Sequence, residues 1–153
     1  MEQQNKNLLY NEDVHGVLRL NLNWEHLREK TLLLTGATGL LGTYLTDMIL
    51  LLNKTFSLNL KLILIARHIA PEKDECVKCI AADVSALPPI KERVDFVLHL
   101  ASNTHPRDYA AFPVETITAN VLGTRSLLEI CKENVGSRFL CASSVEVYGL
   151  LPP

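Results

Sequence analysis

Thr35-Gly36-Ala37-Thr38-Gly39-Leu40-Leu41-Gly42 lies between the apolar run Leu32-Leu33-Leu34 and a segment of helical periodicity. The glycines therefore occupy a strand-to-helix turn, at its first, fourth and seventh positions. Each has a steric task there. Gly36 permits the tight turn, Gly39 lets backbone N–H groups approach a pyrophosphate, and Gly42 lets the helix pack close to its strand. The helix start adds unsatisfied N–H donors and a partial positive charge. Thr38, Leu40 and Leu41 complete the cradle. This pattern implies dinucleotide binding.

Outward from this turn, strands and helices alternate. Lys30–Thr35 reads as a buried first strand. Leu41, Tyr44, Leu45, Met48, Ile49 and Leu52 follow helical spacing until Asn53-Lys54 and Ser57 break it. Further strands are predicted over Leu60–Ala66, Val77–Ala82, Val94–Ala101 and Arg138–Ala142. Pro88-Pro89 marks a loop, and Pro106 and Pro113 bracket an irregular stretch. Ile117, Asn120, Val121, Thr124, Leu127, Leu128 and Cys131 trace one face of a long helix that Gly136 stops. On this spacing Asn120 faces the core and ties the helix to a strand. Alternation of this kind implies right-handed crossovers and an α/β fold, a Rossmann-type doubly wound parallel sheet of strand order 3-2-1-4-5. Residues 30–153 form that domain. Residues 1–29 are a partly helical lead-in, in which Val14, Val17, Leu18, Leu22, Trp24 and Leu27 pack on the sheet edge.

Composition narrows the function. The chain has 153 residues, 48% apolar and 21% charged, with net charge −2 from 15 basic and 17 acidic residues. That length suits one domain with a real core. The charge balance lacks the basic footprint of a nucleic-acid binder. The start, Met1-Glu2-Gln3-Gln4-Asn5-Lys6, has no signal-peptide design, and the longest apolar stretch, Met48–Leu52, is too short to span a bilayer. A cytoplasmic protein without membrane or nucleic-acid partners is expected. Cys76 and Cys79 form a single C-x-x-C with no second pair, and as strand residues they point to opposite faces, so no metal site is expected.

The turn lacks the lysine of a P-loop, and its first two glycines are three apart, unlike G-x-G-x-x-G. That wider spacing resembles the extended short-chain dehydrogenase/reductases, the NAD-dependent epimerase/dehydratase family that acts on nucleotide sugars. Four further stretches carry the resemblance in order: Asp83-Val84, His99-Leu100-Ala101-Ser102, Asn120-Val121-Leu122-Gly123-Thr124, and Ser143-Ser144-Val145-Glu146-Val147-Tyr148-Gly149. The resemblance implies that Asp83 and Val84 meet the adenine. It also implies that Leu100, Ala101 and Ser102 run beside the nicotinamide ribose.

Two catalytic groups are implied as well. Ser144 would hydrogen-bond the sugar hydroxyl being oxidised. Glu146 would be the acid/base group of the dehydratase and decarboxylase branches. Val145 stands where the dehydratases usually carry Asp, which favours the decarboxylase-like branch. The family's base is the tyrosine of Tyr-x-x-x-Lys. Tyr10, Tyr44, Tyr109 and Tyr148 have Val14, Met48, Pro113 and Pro152 at the lysine offset. The sequence thus stops short of that helix and of the substrate domain, as a partial polypeptide that binds cofactor without turnover. The ribose-reading position at the end of the second strand holds Ala66, followed by Arg67. An arginine suits a 2′-phosphate, so the cofactor is NAD or NADP, with Arg67 favouring NADP. The nucleotide-sugar substrate would join in the full-length enzyme, and the resemblance implies a homodimer built partly on the helix around 116–133. The competing reading is a non-catalytic NAD(P)-sensing or interaction module of the same fold.

Overall fold

Leu33 and Leu34 point to opposite faces of one strand, and both are fully buried. A strand buried on both sides belongs in the middle of a covered parallel sheet. The computed structural model describes residues 2–72, 74–103 and 105–149, with side chains described outside 2–7, 106, 145 and 146. Its strands are β1 (Thr31–Thr35), β2 (Lys61–Ala66), β3 (Val77–Ala81), β4 (Phe96–His99) and β5 (Arg138–Cys141). They form one sheet of order β3-β2-β1-β4-β5, and every pairing is parallel. This is the order the alternation predicts.

The helices are α1 (Glu2–Gly16), α2 (Leu40–Phe56), α3 (Pro106–Ala111) and α4 (Pro113–Glu133). Alternate side chains of the central strands feed two cores. Leu34, Leu62 and Leu64 join Ile49 and Leu52 of α2 on one face. Leu33, Ile63 and Ile65 join Leu127 of α4 and Val84 on the other.

Four details depart from the periodicity. The stretch between the two prolines is helical, not irregular: α3 and α4 each begin on a proline, where its missing N–H costs nothing and its fixed φ suits the first turn. Asn53 does not break α2. It stays helical, its amide donates to Leu60 O and its Oδ1 accepts Leu60 N–H, both at 2.9 Å. The helix ends on left-handed Ser57, φ 50°.

The lead-in packs against α2 and its core, not on the sheet edge. Tyr10 O–H donates to Asp47 at 2.6 Å, the Tyr10 and Tyr44 rings meet edge-on, and Val17, Leu18, Trp24 and Leu27 cover the α2-side core. Finally, Asn120 does not face the core but is exposed. Thr116, Gly123 and Leu127 are the buried residues of α4, because a Cβ at 123 would stand 2.6 Å from Val84 Cγ1. The close approach is made where no side chain exists. Ile117, Val121 and Leu128 are consequently 63%, 60% and 47% exposed.

The glycine turn closes against its own helix. A Cβ on Gly42 would collide with the carbonyl oxygen of Gly36 and stand 2.7 Å from Ala37 Cα. These are backbone atoms and cannot yield. Gly42→Ala is expected to lower unfolding free energy by ~2 kcal/mol or more, within the range of overpacked sites. Gly16 is the control: nothing lies within 4 Å of its Cβ position and its φ is −57°. Gly16→Ala is expected to be neutral or stabilising by ~0.5 kcal/mol. Urea titration of both variants checks the contrast.

Candidate functional site

In an open parallel sheet the ligand crevice lies beyond the carboxyl ends of the strands, where the order reverses. Here that point lies between β1 and β4, whose successors run to opposite sides of the sheet. The glycine turn follows β1 directly. Gly36 has φ 70°, the left-handed region that glycine enters at little cost. A Cβ there would stand 2.9 Å from both Ala101 N and Leu100 C. The turn and the segment after β4 thus touch backbone to backbone, which brings Gly36, Leu100 and Ala101 together.

The start of α2 is open. Gly39 is its N-cap, extended at φ −76°, ψ 172°, and supplies no side-chain cap. The first-turn amides of a helix have no acceptor within the helix. They lie beside Thr38, Leu40 and Leu41 and receive no side-chain cap. All three residues are exposed, Leu40 by 88%. A glycine-lined cradle that any Cβ would fill, with uncapped helix donors at its mouth, fits a pyrophosphate.

The neighbouring strand ends extend the crevice. Ala37 N–H reaches Ile65 O at 3.4 Å, linking the turn to the end of β2. Ala66 closes that strand, is buried, and accepts Ala82 N–H at 3.0 Å. Arg67 follows and is exposed. Asp83 Oδ1 accepts Ser85 Oγ–H at 2.6 Å and Ser85 N–H at 2.9 Å, capping a short 3-10 turn. These bonds hold the Asp83 carboxyl below its ordinary 3.8, and the Arg67 charge adds to them. Arg67 and Asp83 therefore share one corner. Val84 behaves differently. Its side chain is buried against Gly123 of α4, so toward the crevice it offers backbone only.

On the other flank, Ala142 N–H donates to His99 O at 3.1 Å beyond the last residue of β5. Ser143 is left-handed, φ 56°, which turns the chain there. Exposed Ser144 accepts Val147 N–H on its carbonyl at 3.3 Å. Glu146 sits in the 3-10 turn Val145–Tyr148; its side chain lies outside the described residues. Leu150–Pro153 lie outside them too.

The periodicity gives no role to one buried polar pair. Thr35 and His99 end adjacent strands in register. Thr35 Oγ1 lies 2.8 Å from His99 Nδ1 and accepts N–H bonds from Leu100 and Ala101, each at 3.2 Å. This is why β4 is only four residues long, Phe96–His99. The next amides turn to a side chain instead of continuing the ladder. The signal in the sequence is two polar residues closing apolar strands, and it acquires meaning only once those strands are neighbours.

Among the described residues no cluster of metal-binding side chains forms, and the described cysteines are free thiols. No helix among them is long and apolar enough to cross a membrane. A depression of about 620 Å³, lined by Leu50, Lys54, Asn59 and Cys76, lies at the starting ends of β2 and β3, away from the crevice.

Comparison with known proteins bears on the family and the fold. The pattern of the NAD dependent epimerase/dehydratase family matches residues 32–153. UDP-glucuronic acid decarboxylase 2 of Arabidopsis thaliana is 32% identical over 142 residues, covering 88% of this chain and 29% of that protein. UDP-glucuronic acid decarboxylase 1 of Danio rerio is 31% identical over 127 residues, covering 78% of this chain and 28% of that protein. The chain thus spans under a third of the length of these relatives. Among solved structures, MoeE5 in complex with UDP-glucuronic acid and NAD superposes with a TM-score of 0.61 at 25% identity, covering 80% of this chain and 39% of that one. Epimerase Mth375 of Methanothermobacter thermautotrophicus gives a TM-score of 0.62 at 22% identity, covering 80% and 37%, which speaks to the fold.

Burial alone pushes the His99 imidazole below its ordinary 6.5. The unfolded chain then binds a proton at a higher pH than the folded one. Stability is full above the unfolded value, falls as pH drops through it, and levels off below the folded value. Unfolding free energy measured between about pH 7 and pH 5, above the carboxylate range, is expected to decline. His99→Gln is expected to flatten the part of that decline that this residue contributes.

Proposed function

The chain belongs to the NAD dependent epimerase/dehydratase family, and from that premise we propose that it is the cofactor-binding portion of a nucleotide-sugar-converting enzyme of the decarboxylase-like branch. The observation that carries the reading is the contact of the glycine turn with the segment after β4. It leaves a crevice walled by backbone, with uncapped α2 amides at one end. Gly36, Gly39 and Gly42 shape the pyrophosphate seat, and the amides of Leu40 and Leu41 face it. Arg67 and Asp83 stand at the adenosine side, and Leu100, Ala101 and Ser102 at the nicotinamide side. When bound there, a nicotinamide ring supplies reversible hydride transfer with a sugar hydroxyl.

The cofactor we infer is NAD. The MoeE5 structure holds NAD, and the Asp83 carboxylate beside Arg67 would repel a 2′-phosphate. Arg67 then serves the adenosine ribose. The substrate we infer is a UDP-linked uronic sugar, supported by the decarboxylase relatives. Ser144 positions the sugar hydroxyl, and Glu146 supplies the carboxyl group for proton transfer or polarisation. Residues 1–153 contain no Tyr-x-x-x-Lys, so by themselves they bind cofactor and do not convert the sugar. The exposed row Ile117, Val121 and Leu128 on α4 supports homodimeric association of the full-length enzyme. A non-catalytic sensor of the same fold remains the competing assignment, and Ser144 with Glu146 weighs against it.

Titration calorimetry tests the reading. Wild-type protein is expected to bind NAD more tightly than NADP; a NADP preference abolished by Arg67→Ala would make Arg67 a phosphate reader. Gly39→Asp is the sharper variant. A Cβ at 39 stands 3.2 Å from Gly36 O, a contact that a small shift relieves. Asp also caps α2 well and occupies its donors. The variant is expected to stay folded by circular dichroism while NAD affinity falls ~10-fold or more from like-charge repulsion. Unchanged affinity would remove the pyrophosphate from this turn.

A further inference from the structure

Thr35 has no exposed surface, and its hydroxyl oxygen accepts two backbone N–H groups, from Leu100 and Ala101. A hydroxyl offers two acceptor positions and one proton. Both acceptor positions are then used, and the proton goes to His99 Nδ1. His99 must carry its own proton on Nε2, since an Nδ1–H would bring a third donor to an oxygen with no lone pair left. Burial favours the same neutral ring.

The segment these bonds hold is short and fixed at both ends. At one end it presses on Gly36, where a Cβ would stand 2.9 Å from Ala101 N. At the other, Asn103 Nδ2 donates to Thr116 Oγ1 at 2.9 Å, and Thr116 Oγ1 donates to Phe112 O at 2.7 Å. Removing the Thr35 hydroxyl strands two amides and one imidazole nitrogen in the interior. Stranded buried groups are costly, so the segment would shift to find water.

We propose that Thr35 and His99 are a positioning pair that sets the height of the Leu100–Ser102 backbone over the glycine turn and so shapes the crevice wall the cofactor rests on. The proposal deepens the reading of the crevice as a dinucleotide site and rests on it. The pair touches no reacting atom. It acts through the backbone it holds, and it does so in one imidazole tautomer only.

Thr35→Val keeps the shape and removes the hydroxyl; Thr35→Ser keeps the hydroxyl. The valine variant is expected to bind NAD ~10-fold or more weakly, the equivalent of one or two net hydrogen bonds. The serine variant should stay within ~3-fold of wild type, well under one such bond. Hydrogen exchange at the Leu100 and Ala101 amides should accelerate in the valine variant and remain slow in the serine variant. Ile63→Val, a buried change away from the crevice, should lower stability without moving NAD affinity. Nitrogen-15 NMR of the wild type should show His99 protonated at Nε2 alone, a measurement that needs no variant to fold. An Nδ1–H tautomer, or a valine variant that binds NAD as wild type does, overturns the pair while leaving the crevice assignment standing. Wild-type protein that binds neither NAD nor NADP overturns both.

Discussion

Gly36 and Gly42 meet at a spacing that no side chain survives. The carbonyl oxygen of Gly36 occupies the place a Cβ on residue 42 would take, and the Cβ position of Gly36 is filled by the backbone after β4. Three elements converge on this point: the end of β1, the start of α2 and the end of β4. Because they converge as backbone, the donors of the helix start and the chain beyond β4 border one crevice. Larger residues would push α2 away from the sheet and separate the two walls.

The rest of the sheet serves that convergence. Leu33 and Leu34 are both fully buried because α2 covers one face and α4 the other. Fully burying such a side chain contributes ~1.5–3 kcal/mol. The cover on the α4 side depends on a second missing side chain, at Gly123, which admits Val84. Val84 therefore links the turn after β3 to α4, and Asp83 beside it caps that turn. One dipeptide thus anchors the core with one residue and presents a carboxylate to the crevice corner with the other.

Much of this was legible in the residues. Apolar runs located the five described strands, and their alternation with helices gave the order 3-2-1-4-5. The glycine spacing placed the turn from β1 into α2. The polar content of the interior was harder to read. Asn120 sits among apolar neighbours in the sequence yet faces outward, because helix faces are chosen by what lies opposite, and Gly123 fits the tight spot. Pro106 and Pro113 read as breakers, but a proline starts a helix as readily as it stops one. Asn53 looked like a terminator until its amide found Leu60 across the turn.

The sequence by itself determined which segments are strands, which faces are greasy and where the backbone must come close without side chains. Those are local properties, set by sterics and by the periods of helix and strand. Only the tertiary structure decided that Thr35 meets His99, that Arg67 shares a corner with Asp83 and that Ile117, Val121 and Leu128 lie on the outside. Each of these depends on which strands become neighbours and how a helix rotates on its sheet. Such contacts join residues far apart along the chain, and no local pattern encodes them.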